Sequence, residues 1–193
     1  MRIIGGSAAG TILKVPKGFG VRPTPDLVRQ AIFNSLGPRV AGARVLEVFG
    51  GSGALSLECI SRGAVSAVCV EKSARHAQFI RQNFVFARLP EDALELRTQD
   101  AFAALGQLIA AGEQFDLLFA DPPFGEKNVN RRSNSLSQQL LDEVDLPKIL
   151  KPGGLFILGR TKRDTLDFPP YWQEKKMLKH GDSVMHFLEV TPQ

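Results

Sequence analysis

The 193-residue chain is poor in cysteine, holding only Cys59 and Cys69, which leaves no basis for a disulfide framework. Both lie in apolar stretches. Neither belongs to a Cys-x-x-Cys pair and no histidine cluster accompanies them, so they read as buried thiols, with no metal expected. Long apolar runs are also missing, and none could cross a bilayer. Glycines at positions 5 and 6 break the N-terminus before a signal-peptide core can form, so the expectation is a cytoplasmic protein away from membranes. Internal repeats and low-complexity tracts are absent. Residues 1–193 read as one domain, with a basic arm at 1–23, a core at 24–193 and a monomeric state expected.

What is present is ordinary for a globular protein: 44% hydrophobic and 23% charged residues. The net charge of +4 is unevenly placed. Arg2, Lys14, Lys17, Arg22 and Arg29 face only Asp26 in the first thirty residues, and the remainder of the chain is balanced. Further basic groups stand at Lys127, Arg131 and Arg132, and at Arg160, Lys162 and Arg163. This pattern suits a polyanionic partner, although solvated surface charge explains it equally well.

The periodicity predicts alternating strands and helices. A short N-terminal hairpin pairs Arg2-Ile3-Ile4 with Thr11–Val15. Thr24 is a candidate N-cap, Pro25 fits the first helical position, and Asp26 suits the helix dipole. Strands are predicted at 44–49, 65–71, 94–98, 115–120 and 155–158. Helices follow them up to Arg62, over 73–87, 101–111 and 136–150, the last with a break at Pro147. Segments 173–179 and 184–190 form a closing hairpin. Alternation of this kind implies a mostly parallel sheet with helices on both faces, here of seven strands with an antiparallel C-terminal edge.

Four motifs carry chemistry. Glu47-Val48-Phe49-Gly50-Gly51-Ser52-Gly53 closes one strand and opens a helix; its glycines allow a sharp turn and close approach of a ligand. Glu71 ends the second strand, where a carboxylate can accept both hydroxyls of a ribose or stand solvated. In Gln99-Asp100-Ala101, Asp100 can meet an adenine amine or cap the following helix. Asp121-Pro122-Pro123-Phe124 follows an apolar strand. Its prolines stiffen the backbone and remove two donors, which leaves carbonyls and a carboxylate as fixed acceptors. Phe124 offers a stacking face. Paired acceptors beside an aromatic plate match an exocyclic amino group.

In this order the motifs resemble those of class I S-adenosylmethionine-dependent methyltransferases with a Rossmann-like fold that act on amino nitrogens. Arg2-Ile3-Ile4-Gly5-Gly6, Arg22-Pro23-Thr24, Asp26, Val28-Arg29, Ile32–Leu36, Ser52–Leu55, Ser61–Ala64 and Gly181-Asp182 are similar to one family, the bacterial small-subunit ribosomal RNA guanine-N2 methyltransferases. Glu47, Gly50 and Phe124 stand where that family usually has Asp, Ala and Tyr; Gln30 replaces Glu; and the usual early arginines are missing from residues 8–12.

The resemblance implies that S-adenosylmethionine is held by Glu47, Phe49, Gly50, Gly51, Ser52, Gly53, Glu71, Lys72, Asp100 and Ala101. It implies catalysis by Asp121, Pro122, Pro123 and Phe124, with ribosomal RNA or the small subunit docked on Arg2, Lys14, Arg22, Arg29, Arg131 and Arg132. Rival readings are an adenine-N6 nucleic-acid methyltransferase, a methyltransferase for protein glutamine or small amines, and a non-enzymatic RNA-binding module.

Overall fold

In a computed structural model the described residues are 1–15, 24–123 and 132–192. They form a seven-stranded sheet: β1 (Arg44–Val48), β2 (Ser66–Val70), β3 (Leu94–Arg97), β4 (Phe115–Ala120), β5 (Leu150–Thr161), β6 (Trp172–His180) and β7 (Ser183–Val190). The helices are α1 (Asp26–Leu36), α2 (Ala54–Ser61), α3 (Ala74–Phe86), α4 (Ala101–Ala110) and α5 (Leu136–Asp142). The strand order is β3-β2-β1-β4-β5-β7-β6. β1 to β5 run parallel, and β7 pairs antiparallel with both β5 and β6. The closing hairpin thus contributes two strands, and β7 lies inside the sheet.

Side-chain alternation divides the core into two layers, because successive strand residues face opposite sides. Val45 of β1 joins a layer with Ile32, Phe33, Leu57 and Phe119. Its neighbours Leu46 and Val48 join the other with Leu105, Leu118 and Phe156. Helix α2 is buried along all eight residues. Both cysteines are buried and free, and burial beside Glu47 raises the Cys69 thiol well above its ordinary range.

The predicted N-terminal hairpin is present in short form: an antiparallel bridge joins Arg2 and Ile12, Ile3 N–H donates to the Thr11 carbonyl at 2.9 Å and Leu13 N–H to the Met1 carbonyl at 3.0 Å, and the pairing stops at Ile3. The backbone N–H groups of Ile4 and Gly5 instead donate to the Glu58 carboxylate at 2.7 and 2.8 Å. Ile3 and Leu13 are buried in the first core layer, so residues 1–15 are part of the core rather than an arm laid over it.

Arg29 also differs from expectation. It is fully buried and cannot present its charge to RNA. Its guanidinium pairs with Asp26 at 2.7 Å and Glu58 at 3.5 Å, and donates to the Arg2 carbonyl at 2.5 Å. A buried cation persists only when paired, and here the pairing fastens α1 and α2 to the N-terminal segment.

Three boundaries shift. α1 begins at Asp26 after Pro25, with no side-chain cap from Thr24. The predicted 136–150 helix ends at Asp142 and resumes as a 3-10 turn over Leu146–Ile149, because Pro147 lacks an N–H and disfavours helix before it. β5 starts at Leu150, earlier than its Pro152-Gly153-Gly154 suggests, by pairing Leu150 with Phe115 ahead of a bulge.

Candidate active site

Sheet topology brings two motifs together. Strand order reverses between β1 and β4, and there the carboxyl ends form a crevice. Val48 pairs with Ala120, so the glycine turn after β1 and Asp121 after β4 leave the sheet side by side. A cavity of about 760 Å³ opens at this point, within the usual range for a small-molecule site. Glu47, Phe49, Gly50, Gly51, Ser52, Glu71, Lys72, Asp100, Ala101, Asp121, Pro122 and Pro123 all line it. Gly53, the N-cap residue of α2, is not among the residues lining the cavity. Phe124, Arg22 and Arg131 lie outside the described residues.

The glycine turn is built for close approach. Phe49 and Gly51 both have positive φ, at 62° and 56°. A Cβ at Gly50 would stand 2.5 Å from Cys69 Sγ, and one at Gly53 2.8 Å from Ile80. The turn is therefore pressed against β2 and α3, with its backbone facing the cavity.

Glu71 holds this turn in place. One carboxylate oxygen accepts from Gly51 N–H at 2.7 Å and the other from Ser73 N–H at 2.7 Å. A carboxylate has about four acceptor directions, so backbone occupies two and leaves two for a ligand. His76 Nδ1 lies 3.6 Å away on α3. Asp100 caps α4, accepting from Phe102 and Ala103 N–H, and lines the cavity as well. Its bond from Lys72 helps hold its pKa below the ordinary range.

Glu47 is buried behind the turn and accepts from both Ser56 N–H and Ser56 Oγ. Burial dominates and pushes its pKa up to about 7, against the opposing effect of the Ser56 bonds.

Two supporting residues escape sequence reading. Thr24 lines the cavity and its hydroxyl donates to Asp121 Oδ2 at 2.5 Å. Gly159 on β5 backs the same carboxylate, because a Cβ there would stand 2.2 Å from Asp121 Oδ1. Thr24 lies 97 residues from Asp121, and no local pattern announces such a contact.

Of the predicted RNA contacts, Arg2 and Lys14 are exposed. Arg2 lies 3.8 Å from Asp26. Arg132 is exposed but pairs with Asp142 at 2.6 Å and Asp167 at 3.4 Å. Among the described residues no helix is long and apolar enough to cross a membrane, and no group of three or more His, Cys, Asp or Glu is placed to hold a metal.

A family model described as Conserved hypothetical protein 95 matches residues 1–189. Ribosomal RNA small subunit methyltransferase D of Escherichia coli is 39% identical over 146 residues, 75% of this chain and 71% of that protein. YlbH of Bacillus subtilis is 35% identical over 164 residues, 85% and 84% of the two chains. The solved structure of Escherichia coli yhhF superposes with a TM-score of 0.80 at 28% identity, covering 100% of this chain and 99% of that one.

Proposed function

Because this chain belongs to the Conserved hypothetical protein 95 family, we propose that it transfers a methyl group from S-adenosylmethionine to the exocyclic N2 amine of a guanine in small-subunit (16S) ribosomal RNA. The observation that carries this reading is the placement of Asp121-Pro122-Pro123 beside the glycine turn and Glu71 in one cavity at the strand-order reversal. Relatives named as small-subunit ribosomal RNA methyltransferases supply the substrate class. Such a substrate places the work in the cytoplasm.

The residues present fit the cofactor. The cavity volume suffices, the turn brings backbone rather than side chains to the ligand, and the two spare acceptor directions of Glu71 match two ribose hydroxyls. Gly50, Gly51 and Ser52 would face the methionine and ribose portion, and Asp100 with Ala101 the adenine. When bound, the cofactor supplies an electrophilic methyl on a sulfonium.

The chain's own residues do the rest. An aromatic amine is a weak nucleophile because its lone pair delocalises into the ring. Asp121 and the Pro122 carbonyl accept the amine's hydrogens and orient the lone pair. Thr24 and Gly159 fix where the Asp121 carboxylate stands. Orientation of this kind is worth up to about 7–11 kcal/mol, and the carboxylate opposes positive charge that develops on the nitrogen. Phe124 would stack on the base, worth roughly 1–3 kcal/mol.

The test is methyl transfer from labelled cofactor to deproteinised small-subunit RNA and to isolated small subunits, followed by nucleoside analysis. N2-methylguanosine is the expected product. N6-methyladenosine would shift the reading to its nearest rival, and no transfer to either substrate would refute it.

A further inference from the structure

The exposed face of α3 is strongly one-sided in charge. Arg75, Gln78, Arg81, Gln82 and Val85 fall on one arc of about 120° at 100° per residue. Between Ser73 and Pro90 the chain holds three arginines and no carboxylate. Lys14 is fastened alongside, its backbone N–H donating to Asn83 Oδ1 at 2.8 Å and its carbonyl accepting from Asn83 Nδ2 at 2.9 Å. Among the described residues, Lys14, Arg75, Arg81 and Arg88 take part in no ion pair, in contrast to Arg132, Arg62 and Arg97, which do.

Two further features set this face apart. Val85 and Phe86 are 75% and 66% exposed, so an aromatic ring stands in solvent amid the cations. Arg88 has φ of 51°, where glycine is favoured after a helix. A cation is thus held at strained backbone just past the end of α3. The other end of the helix reaches the cavity, since Ser73 and His76 line it.

We propose that this face of α3, together with Lys14, is a docking surface for the ribosomal RNA outside the cavity. The arginines and Lys14 take backbone phosphates along about 20 Å of helix, and Phe86 stacks on an unpaired base. The inference rests on the methyltransferase reading above and adds where the RNA runs once its target base is in place.

The test measures binding of the methylated small-subunit RNA across a salt series. The variants are R75Q, R81Q, R88Q, their combination, and F86A. K176Q, on the opposite edge strand β6, is the control. Each arginine variant is expected to flatten the salt slope by about one, and the combination to weaken Kd about tenfold or more near 0.1 M salt. F86A weakens binding several-fold without changing the slope. Cofactor affinity stays at the wild-type level in all of them, which verifies folding, and K176Q binds as wild type. If wild-type protein methylates the RNA but the combined variant keeps its affinity and slope, the docking surface is overturned and the activity stands. If wild-type protein neither binds nor methylates the RNA, both fall.

Discussion

The Thr24 hydroxyl donates to Asp121 Oδ2 across 2.5 Å, joining the entrance of α1 to the carboxylate that follows β4. The contact ties the start of α1, which is packed into the core through Ile32 and Phe33, to the acceptor expected to orient the amine.

Replacing Thr24 with valine removes that donor at nearly constant volume. A hydrogen bond to a charged group is worth about 1.5–3 kcal/mol, so kcat is expected to fall about 10–100-fold. Cofactor affinity should change little, and Thr24→Ser should restore most of the rate. Single-turnover kinetics at saturating cofactor, compared with calorimetric cofactor binding, separate the two effects. A raised KM with kcat unchanged would mean that Thr24 merely lines the cavity.

Gly159→Ala puts a methyl where Asp121 Oδ1 now stands, 2.2 Å from its new Cβ, with Met185 Sδ at 3.2 Å. The carboxylate must move to make room. Methyl transfer should drop at least about tenfold, since orientation supplies much of the acceleration. A cooperative melt near that of wild type checks that the loss is local.

Glu71→Gln turns one carboxylate oxygen into an NH2 group, which loses the anchor of either Gly51 or Ser73 and replaces one of the two spare acceptor directions with a donor. Cofactor Kd should rise about 10–100-fold, as expected when a hydrogen bond to a charged acceptor is lost. Calorimetry with S-adenosylmethionine and its demethylated product measures it. Equal affinity in the variant would remove Glu71 from the binding site.

Glu47 makes stability depend on pH. Its folded pKa is raised from the ordinary 4.5 to about 7 by burial. Between these values the folded chain holds a proton that the unfolded chain has released, so stability falls as pH rises through this window. The loss from pH 4.5 to above 7 is about 2–3 kcal/mol. Urea unfolding at pH 5 and pH 8 should show it, and Glu47→Gln should abolish most of the difference. An unchanged difference in that variant would assign the pH dependence to other groups.

Legibility from sequence followed the reach of each signal. β4 runs from Phe115 to Ala120, as its apolar run between Gly112 and Pro122 predicts. Ser73 caps α3 through His76 N–H, a contact three residues long. The glycine turn, Glu71 and Asp121 converge because strand–turn–helix units and their ordering are local patterns that the parallel sheet then aligns. Arg29 was hidden because a basic residue on an amphipathic helix reads as surface. Only the fold brings Glu58 to within 3.5 Å of it. Thr24 and Gly159 were hidden likewise: a threonine before proline reads as a cap, and a lone glycine in a strand carries no hint of the carboxylate it accommodates. Arg75, Arg81 and Arg88 each look like ordinary solvated charge until α3 places the first two on one face and Asn83 adds Lys14.

In the proposed reaction Asp121 accepts from the reacting amine and does not hold the cofactor. Asp121→Ala tests it most directly, with single-turnover methyl transfer and cofactor affinity measured on the same preparation. The expected outcome is a rate lower by about 10²–10³-fold or more, with S-adenosylmethionine bound nearly as tightly as by wild type. A variant that loses cofactor affinity yet transfers methyl at the wild-type rate once loaded would contradict it.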